Sequence, residues 1–250
     1  MENKVYLIIG ASSDMGTAYI KSLDTLLEKE QKTATVIAHY ATNKSQLDEL
    51  MKTLSCVELH VIQADLSQNE DIEKLISKVG ELCTCPDYIL HMPASKLQYN
   101  RIKQINWVHV KKDLEIQVHS LAEVGKAFLP AMAKRRCGKM VVMLTSCTLG
   151  MPPKFMSEYV IVKYALLGLM KSMAVEYADK GININGLSPN MVETKFLDEI
   201  DEKIIEINKE NCAMKRNVSV EEVIKAVHFL LSDGSDYMNG VNLNLTGGDK

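Results

Sequence analysis

The sequence predicts an α/β fold, a doubly wound and mainly parallel sheet of seven strands with helices on both faces. Three observations carry this reading. Short β-branched or aliphatic runs recur along the chain: KVYLII, ATVIAHY, VELHVI, DYILH, KMVVML, ININGL and VNLNL. Longer amphipathic stretches such as DIEKLISKVGEL and VEEVIKAVHFLL lie between them, an alternation that implies βαβ units with right-handed crossovers. The chain has 250 residues, 46% of them hydrophobic, and no internal repeat or Pro/Gly-rich linker, so one domain over 1–250 is expected.

Composition narrows the function. With 29 basic and 32 acidic residues, a formal net charge of −3 and no long same-sign run, the chain has no field to gather nucleic acid or anionic lipid. The six cysteines are scattered, and Cys83 and Cys85 lack the two-residue gap of zinc and redox motifs. They read as reduced thiols of a cytoplasmic protein, and no metal site is expected. KVYLIIGASS turns polar too early for a secretory signal, and no apolar run approaches the ~20 residues of a membrane span.

Open parallel sheets bind ligands at the carboxyl ends of their strands, near the switch in strand order. The first strand runs into GASSDMG, residues 10 to 16, and then a helical stretch. A glycine-bearing turn there lets backbone N–H groups approach a pyrophosphate, whose charge the helix N-terminus also favours. Gly10, Ser12, Ser13, Asp14, Met15 and Gly16 are the candidate ligands, and an ordinary strand-to-helix turn is the competing reading. Asp14 is electrostatically awkward beside a phosphate unless it points away or caps the helix.

Two further strand ends shift the balance toward a dinucleotide. VIQADLS puts Asp65, with Leu66, where a carboxylate can accept from an adenine amino group. DYILHMPAS puts His91, Pro93 and Ala94 where a cofactor can lie close, with His91 a positioned strand-end residue rather than a base. Cofactor choice belongs to the end of the second strand. An NAD site typically has an acid there, whereas VIAHYATNK offers His39, Tyr40, Thr42, Asn43 and Lys44 with no acid until Asp48. That favours NADP(H) over NAD(H), against the alternative of a solvated turn.

Tyr-x-x-x-Lys occurs three times, at Tyr40/Lys44, Tyr99/Lys103 and Tyr159/Lys163. Only the last follows a strand that ends in hydroxyls. KMVVML leads to Thr145 and Ser146, Pro152 and Pro153 mark a loop, and a helix is predicted from Ser157 to about Lys180, before Gly181. Tyr159 and Lys163 share one face of it, thirteen residues past Ser146. Such a trio suits proton transfer to a carbonyl oxygen as hydride reaches its carbon. A nearby ammonium brings a phenol of pKa ~10 toward neutrality, and a serine hydroxyl steadies the developing alkoxide.

The glycine turn, ADLS, KAFLPAM, Ser146 with EYVIVK, SPNMVETKF and YMNGVNLNLTGG stand in the order and approximate spacing of the short-chain dehydrogenase/reductase family. The chain resembles that family over essentially its whole length, and most of all its 3-oxoacyl-carrier-protein reductases. The resemblance implies a Rossmann-type sheet, Tyr159 as general acid/base, Lys163 as its electrostatic and ribose-binding partner, and Ser146 as oxyanion donor. Thr194 would touch the nicotinamide carboxamide, with Pro189 and Val192 among the cofactor contacts.

Departures accompany the matches. HMPA stands where the family has Asn-Asn-Ala-Gly, Asn190 replaces a glycine, and Gln117 takes the place of the helix-four asparagine, as active-site amide or as helix cap. Strand five carries an extra residue before Ser146, which leaves Thr145 or Thr148 as alternative hydroxyls.

The expected function is NADPH-dependent reduction of a carbonyl to an alcohol. The alternative, motivated by HMPA, Gln117 and Asp14, is a catalytically silent dinucleotide-binding sensor or assembly subunit of the same fold. Residues 195–215 read as the substrate segment, and its acids Asp198, Glu199, Asp201, Glu202 and Glu206 argue against a strongly anionic substrate. Partners are a small molecule or an acyl thioester and, by resemblance, further copies in a homotetramer or homodimer.

Overall fold

The computed structural model describes residues 3–198 and 200–248, which leaves Glu199 outside. Seven strands form one sheet: β1 (Lys4–Ile9), β2 (Ala34–Tyr40), β3 (Val57–Gln63), β4 (Tyr88–His91), β5 (Gly138–Met143), β6 (Ile182–Pro189) and β7 (Asn242–Leu245). Their order is β3-β2-β1-β4-β5-β6-β7 and every neighbouring pair is parallel. The order reverses between β1 and β4. A crevice therefore opens beyond their carboxyl ends, as such sheets require for ligand binding.

Eight helices complete the fold: α1 (Asp14–Glu30), α2 (Ser45–Met51), α3 (Asn69–Leu82), α4 (Trp107–Leu114), α5 (Ser120–Arg135), α6 (Ser157–Tyr177), α7 (Glu202–Asn211) and α8 (Val220–Leu231). Side chains alternate across a strand, so β1 sends Leu7 and Ile9 to one face and Ile8 to the other. The first face packs on Leu75, Phe128 and Met170 of α3, α5 and α6, the second on Tyr19, Leu23 and Val227 of α1 and α8. Both faces are covered, which is why the strands read as apolar runs rather than as alternating ones.

Local sequence explains the termini near the crevice. The Ser13 hydroxyl accepts from the Gly16 N–H at 3.1 Å and donates to the Gly10 carbonyl at 2.9 Å, which caps α1 and ties its turn together. Gly10 sits at φ +85°, where a side chain is strained, and a Cβ on Gly16 would lie 2.4 Å from the Ala11 oxygen. Glycine is therefore required at both ends of the turn.

The polar excursion before KAFLPAM is part of a long helix. α4 passes into α5 through a π turn, Glu115–His119, that contains Gln117. Gln117 is thus mid-helix and caps nothing, because Asn106 supplies the cap of α4. The helix expected from Ser157 is α6, which continues as a 3-10 turn over Ala178–Lys180 and stops at Gly181.

Candidate active site

A cavity of about 1160 Å³ lies at the carboxyl ends of the strands. Ser12, Ser13, Asp14 and Met15 of the glycine turn line it, as do Asn43 after β2, Ser146 after β5, Tyr159 and Lys163 of α6, and Pro189, Val192 and Thr194 at the end of β6. Residues spread over nearly the whole sequence thus meet in one place, the outcome expected from reading strand ends.

Other expected contacts stand off its wall. Gly10 and Gly16 lie beneath the turn and shape it. Tyr40 turns its hydroxyl toward Gln63, and Lys44 pairs with Asp48 at 3.3 Å on the surface. Asp65 is exposed and its carboxylate accepts from the Ser67 amide and hydroxyl. Leu66 has its side chain buried in the core, which leaves its backbone for any ligand contact. Pro93 closes on Gly10, its nitrogen 3.1 Å from where a Gly10 Cβ would be.

Two histidines serve the scaffold. His91 is fully buried, and its Nε2–H donates to the Ser120 hydroxyl, which gives its own hydrogen to the Ile116 carbonyl. Burial, with the Lys163 charge nearby, pushes its pKa down to about 3, so the ring is neutral and serves no base chemistry at ordinary pH. His39, which the sequence offers at the end of the second strand, braces the glycine turn. Its Nδ1 accepts from the Gly10 N–H at 3.1 Å and its Nε2–H donates to the Ala64 carbonyl at 3.0 Å, fastening the glycine turn to the end of β3.

Asp14 has a partner in the 195–215 segment. Its carboxylate accepts from the Lys195 N–H at 2.8 Å and stands 3.9 Å from the Lys195 ammonium. The residue in the place of a glycine therefore ties the turn to the start of the 195–215 segment. That segment forms a 3-10 turn, Lys195–Leu197, followed by α7.

Two acids of that segment are held on α7 itself. Asp201 caps α7 by accepting from Lys203, and Glu206 pairs with Lys209 at 3.4 Å. Among the described lining residues Asp14 is the only carboxylate, and Lys154, Lys163 and Lys195 line the cavity as well. Of the acids expected to weigh against a strongly anionic substrate, Asp201 and Glu206 are engaged on α7 by capping and local pairing, and Glu199 lies outside the described residues.

At the centre, Tyr159 is half-buried on the first turn of α6, with the Lys163 ammonium 5.7 Å from its ring centroid. Burial raises the phenol above its usual pKa, and a hydrogen bond with the Thr145 side chain opposes that rise. Thr145 also accepts from the Cys147 N–H at 3.3 Å, capping the 146–148 turn. Among the described residues the Ser146 hydroxyl makes no protein hydrogen bond, which leaves it for a ligand. The Thr148 hydroxyl is spent on the Thr145 carbonyl at 2.8 Å.

Lys163 is buried and donates to the Met143 carbonyl at 3.0 Å. Burial lowers its pKa to about 8, against a smaller upward pull from Asp113 and Cys147. The sign of the linkage follows. Between the folded value near 8 and the ordinary value of 10.5, the unfolded chain binds the extra proton, so this residue makes stability rise with pH across that window. We expect the unfolding free energy of the wild type, minus that of Lys163→Met, to rise from pH 8 to about 10 and level off beyond. A pH series of urea titrations measures it, and a flat difference would refute the burial of a titrating ammonium.

An open parallel sheet with a glycine turn at its first strand end, and a hydroxyl, tyrosine and lysine at the fifth, defines a dinucleotide-dependent oxidoreductase. Comparison with known proteins agrees. The family profile described as Enoyl-(Acyl carrier protein) reductase matches residues 26–249, and the chain belongs to the short-chain dehydrogenase/reductase family, whose members act on CH–OH and C=O groups.

It is 28% identical over 252 residues to human Dehydrogenase/reductase SDR family member 4, covering 99% of this chain and 88% of the relative. It is 29% identical over 257 residues to the 3-oxoacyl-acyl-carrier-protein reductase FabG of Thermotoga maritima, covering 99% and 98%. A solved structure of a 4-hydroxyisoleucine dehydrogenase mutant complexed with NADH and succinate superposes with a TM-score of 0.86, 25% identity and 98% coverage of each chain.

Proposed function

We propose that the protein is an NADP(H)-dependent carbonyl reductase in which Tyr159 protonates the carbonyl oxygen as hydride arrives. The observation that carries this is the shared cavity: Ser146, Tyr159 and Lys163 line the same space as the glycine turn. Ser146 holds the substrate oxygen, Thr145 positions the phenol, and Lys163 supplies positive charge and holds ribose hydroxyls.

The cofactor residues divide by place. The glycine turn takes the pyrophosphate, Asp65 the adenine, and Thr194, with Pro189 and Val192, the nicotinamide end. When bound, the dinucleotide supplies the hydride. The buried amide of Gln117, neither of whose polar atoms has a protein partner, keeps the role of active-site amide. With Asp14 bonded to Lys195, one motive for the silent-sensor alternative falls away.

NADP(H) is favoured over NAD(H) because no acid stands at the end of β2. Lys44 is held only by an exposed pair with Asp48, an interaction worth at most ~1 kcal/mol, and is free to turn to a 2′-phosphate. Titration of nicotinamide fluorescence tests this. NADPH is expected to bind at least about tenfold more tightly than NADH, the worth of one ~1.4 kcal/mol contact, and Lys44→Ala to erase the difference. Equal affinities in the wild type would overturn the preference.

The substrate end of the cavity is apolar, with Met151, Phe155, Phe196, Leu197, Ile204 and Ile207, and its lysines accept anionic groups. This supports a ketone or 3-oxoacyl thioester, with residues 195–215 closing over it. Ile161, Tyr164 and Val175 of α6 and Trp107 and Val108 of α4 are exposed, which supports pairing of copies into a homodimer or homotetramer. No helix among the described residues is long and apolar enough to cross a membrane, and six free cysteines support a reducing, cytoplasmic compartment.

A further inference from the structure

The glycine turn and the substrate segment meet in a polar cluster that the proposed proton and hydride transfers leave unused. One oxygen of the Asp14 carboxylate accepts from the Lys195 N–H at 2.8 Å, and the other stands 3.9 Å from the Lys195 ammonium. Gln46, on α2, completes the cluster. With its amide turned so that both ends are satisfied, its oxygen accepts from the Lys195 ammonium at 2.6 Å and its nitrogen donates to the Ser12 carbonyl at 3.0 Å. Ser12, Asp14, Gln46 and Lys195 all line the main cavity, and they come from three separate parts of the chain.

We propose that Asp14, Gln46 and Lys195 form a charge-balanced strap that completes the pyrophosphate site and ties cofactor affinity to the seating of the substrate segment. The proposal rests on the dinucleotide reading of the glycine turn. Asp14 stands in the place of a glycine, so the turn carries a carboxylate beside a ligand that is itself negative, and unbalanced like charges repel. Lys195 supplies the opposite charge. Gln46 fixes the ammonium, and the Lys195 N–H takes up the second carboxylate oxygen. Lys195 follows Thr194 and opens the 195–215 segment, so binding at the turn and order in that segment are coupled. The coupling is reciprocal: what the segment adds to cofactor affinity, the cofactor returns as order in the segment.

Charge and hydrogen bond can be removed separately. The Lys195 side chain is 70% exposed and that of Asp14 25%, so Lys195→Ala takes away the ammonium with little loss of packing. The bond from its backbone N–H survives that change. Asp14→Asn keeps an acceptor for the N–H and loses the charge, whereas Asp14→Gly loses both.

The test titrates the full-length protein with NADPH, read by nicotinamide fluorescence, across a double-mutant cycle. Lys195→Ala is expected to weaken NADPH by about five- to tenfold when Asp14 is present, and by less than about twofold in an Asp14→Gly or Asp14→Asn background. Lys195→Arg keeps the charge and is expected to bind within about twofold of the wild type. Hydrogen exchange of the cofactor-free protein, followed by mass spectrometry on the peptide containing Lys195, reads the strap without any ligand. Asp14→Gly is expected to speed exchange there by at least about tenfold, and Asp14→Asn to stay near the wild type.

Equal losses from Lys195→Ala in both backgrounds overturn the proposal, because Lys195 then acts on the cofactor without Asp14. No loss in the presence of Asp14 overturns it as well, as does unchanged exchange in Asp14→Gly. Titration of the wild type separates the two readings. If it binds neither NADPH nor NADH, the dinucleotide reading fails and the strap with it. If it binds and the cycle shows no coupling, only the strap fails.

Discussion

Replacing Tyr159 with phenylalanine is expected to lower kcat by about 10²–10⁴-fold, the usual contribution of a positioned general acid, while leaving NADPH affinity within a few-fold. The ring is half-buried on the first turn of α6 and stays in place without its hydroxyl, so packing is preserved. The hydroxyl has one identified protein neighbour, Thr145, and that bond acts to steady the ionised phenol. Removing it costs the chemistry rather than the fold. Stopped-flow oxidation of NADPH beside a fluorescence titration measures both quantities, and a variant that retains turnover would assign the proton to another donor.

The second large effect separates two adjacent hydroxyls. Ser146→Ala is expected to cost about 10²–10³-fold in kcat with an unchanged melting temperature, because its hydroxyl lines the cavity and holds nothing else in the protein. Thr145→Val is expected to behave the other way. Its hydroxyl caps the turn after β5, so its loss costs ~1 kcal/mol, or roughly 2–4 °C in Tm for a chain of this size. Its kcat should fall less than that of Ser146→Ala. Reversal of the two patterns would move the oxyanion role to Thr145.

Much of the molecule was legible in the residues themselves. The alternation of apolar runs with amphipathic stretches specified a parallel sheet, because only βαβ crossovers bury such strands on both faces. The glycines of GASSDMG were legible because Gly10 needs a positive φ and Gly16 has no room for a Cβ. Tyr159 and Lys163 were legible because helical spacing puts residues four apart on one face.

What tertiary structure alone decided was which partner each polar group took. Asp14 read as awkward beside a phosphate, yet its carboxylate meets the Lys195 amide, 181 residues away in the chain. Leu66 sends its side chain into the core, and His39, at the end of the second strand, holds the glycine turn. The acids of 195–215 read as a charged mouth, but Asp201 caps α7 and Glu206 pairs along it. Ser146 and Thr145 were interchangeable in sequence until the path after β5 gave one hydroxyl to the phenol and left the other to the cavity. Period and spacing are local, so the chain states them directly. Long-range hydrogen bonds depend on where the sheet brings distant segments together, and that geometry exists only in the folded molecule.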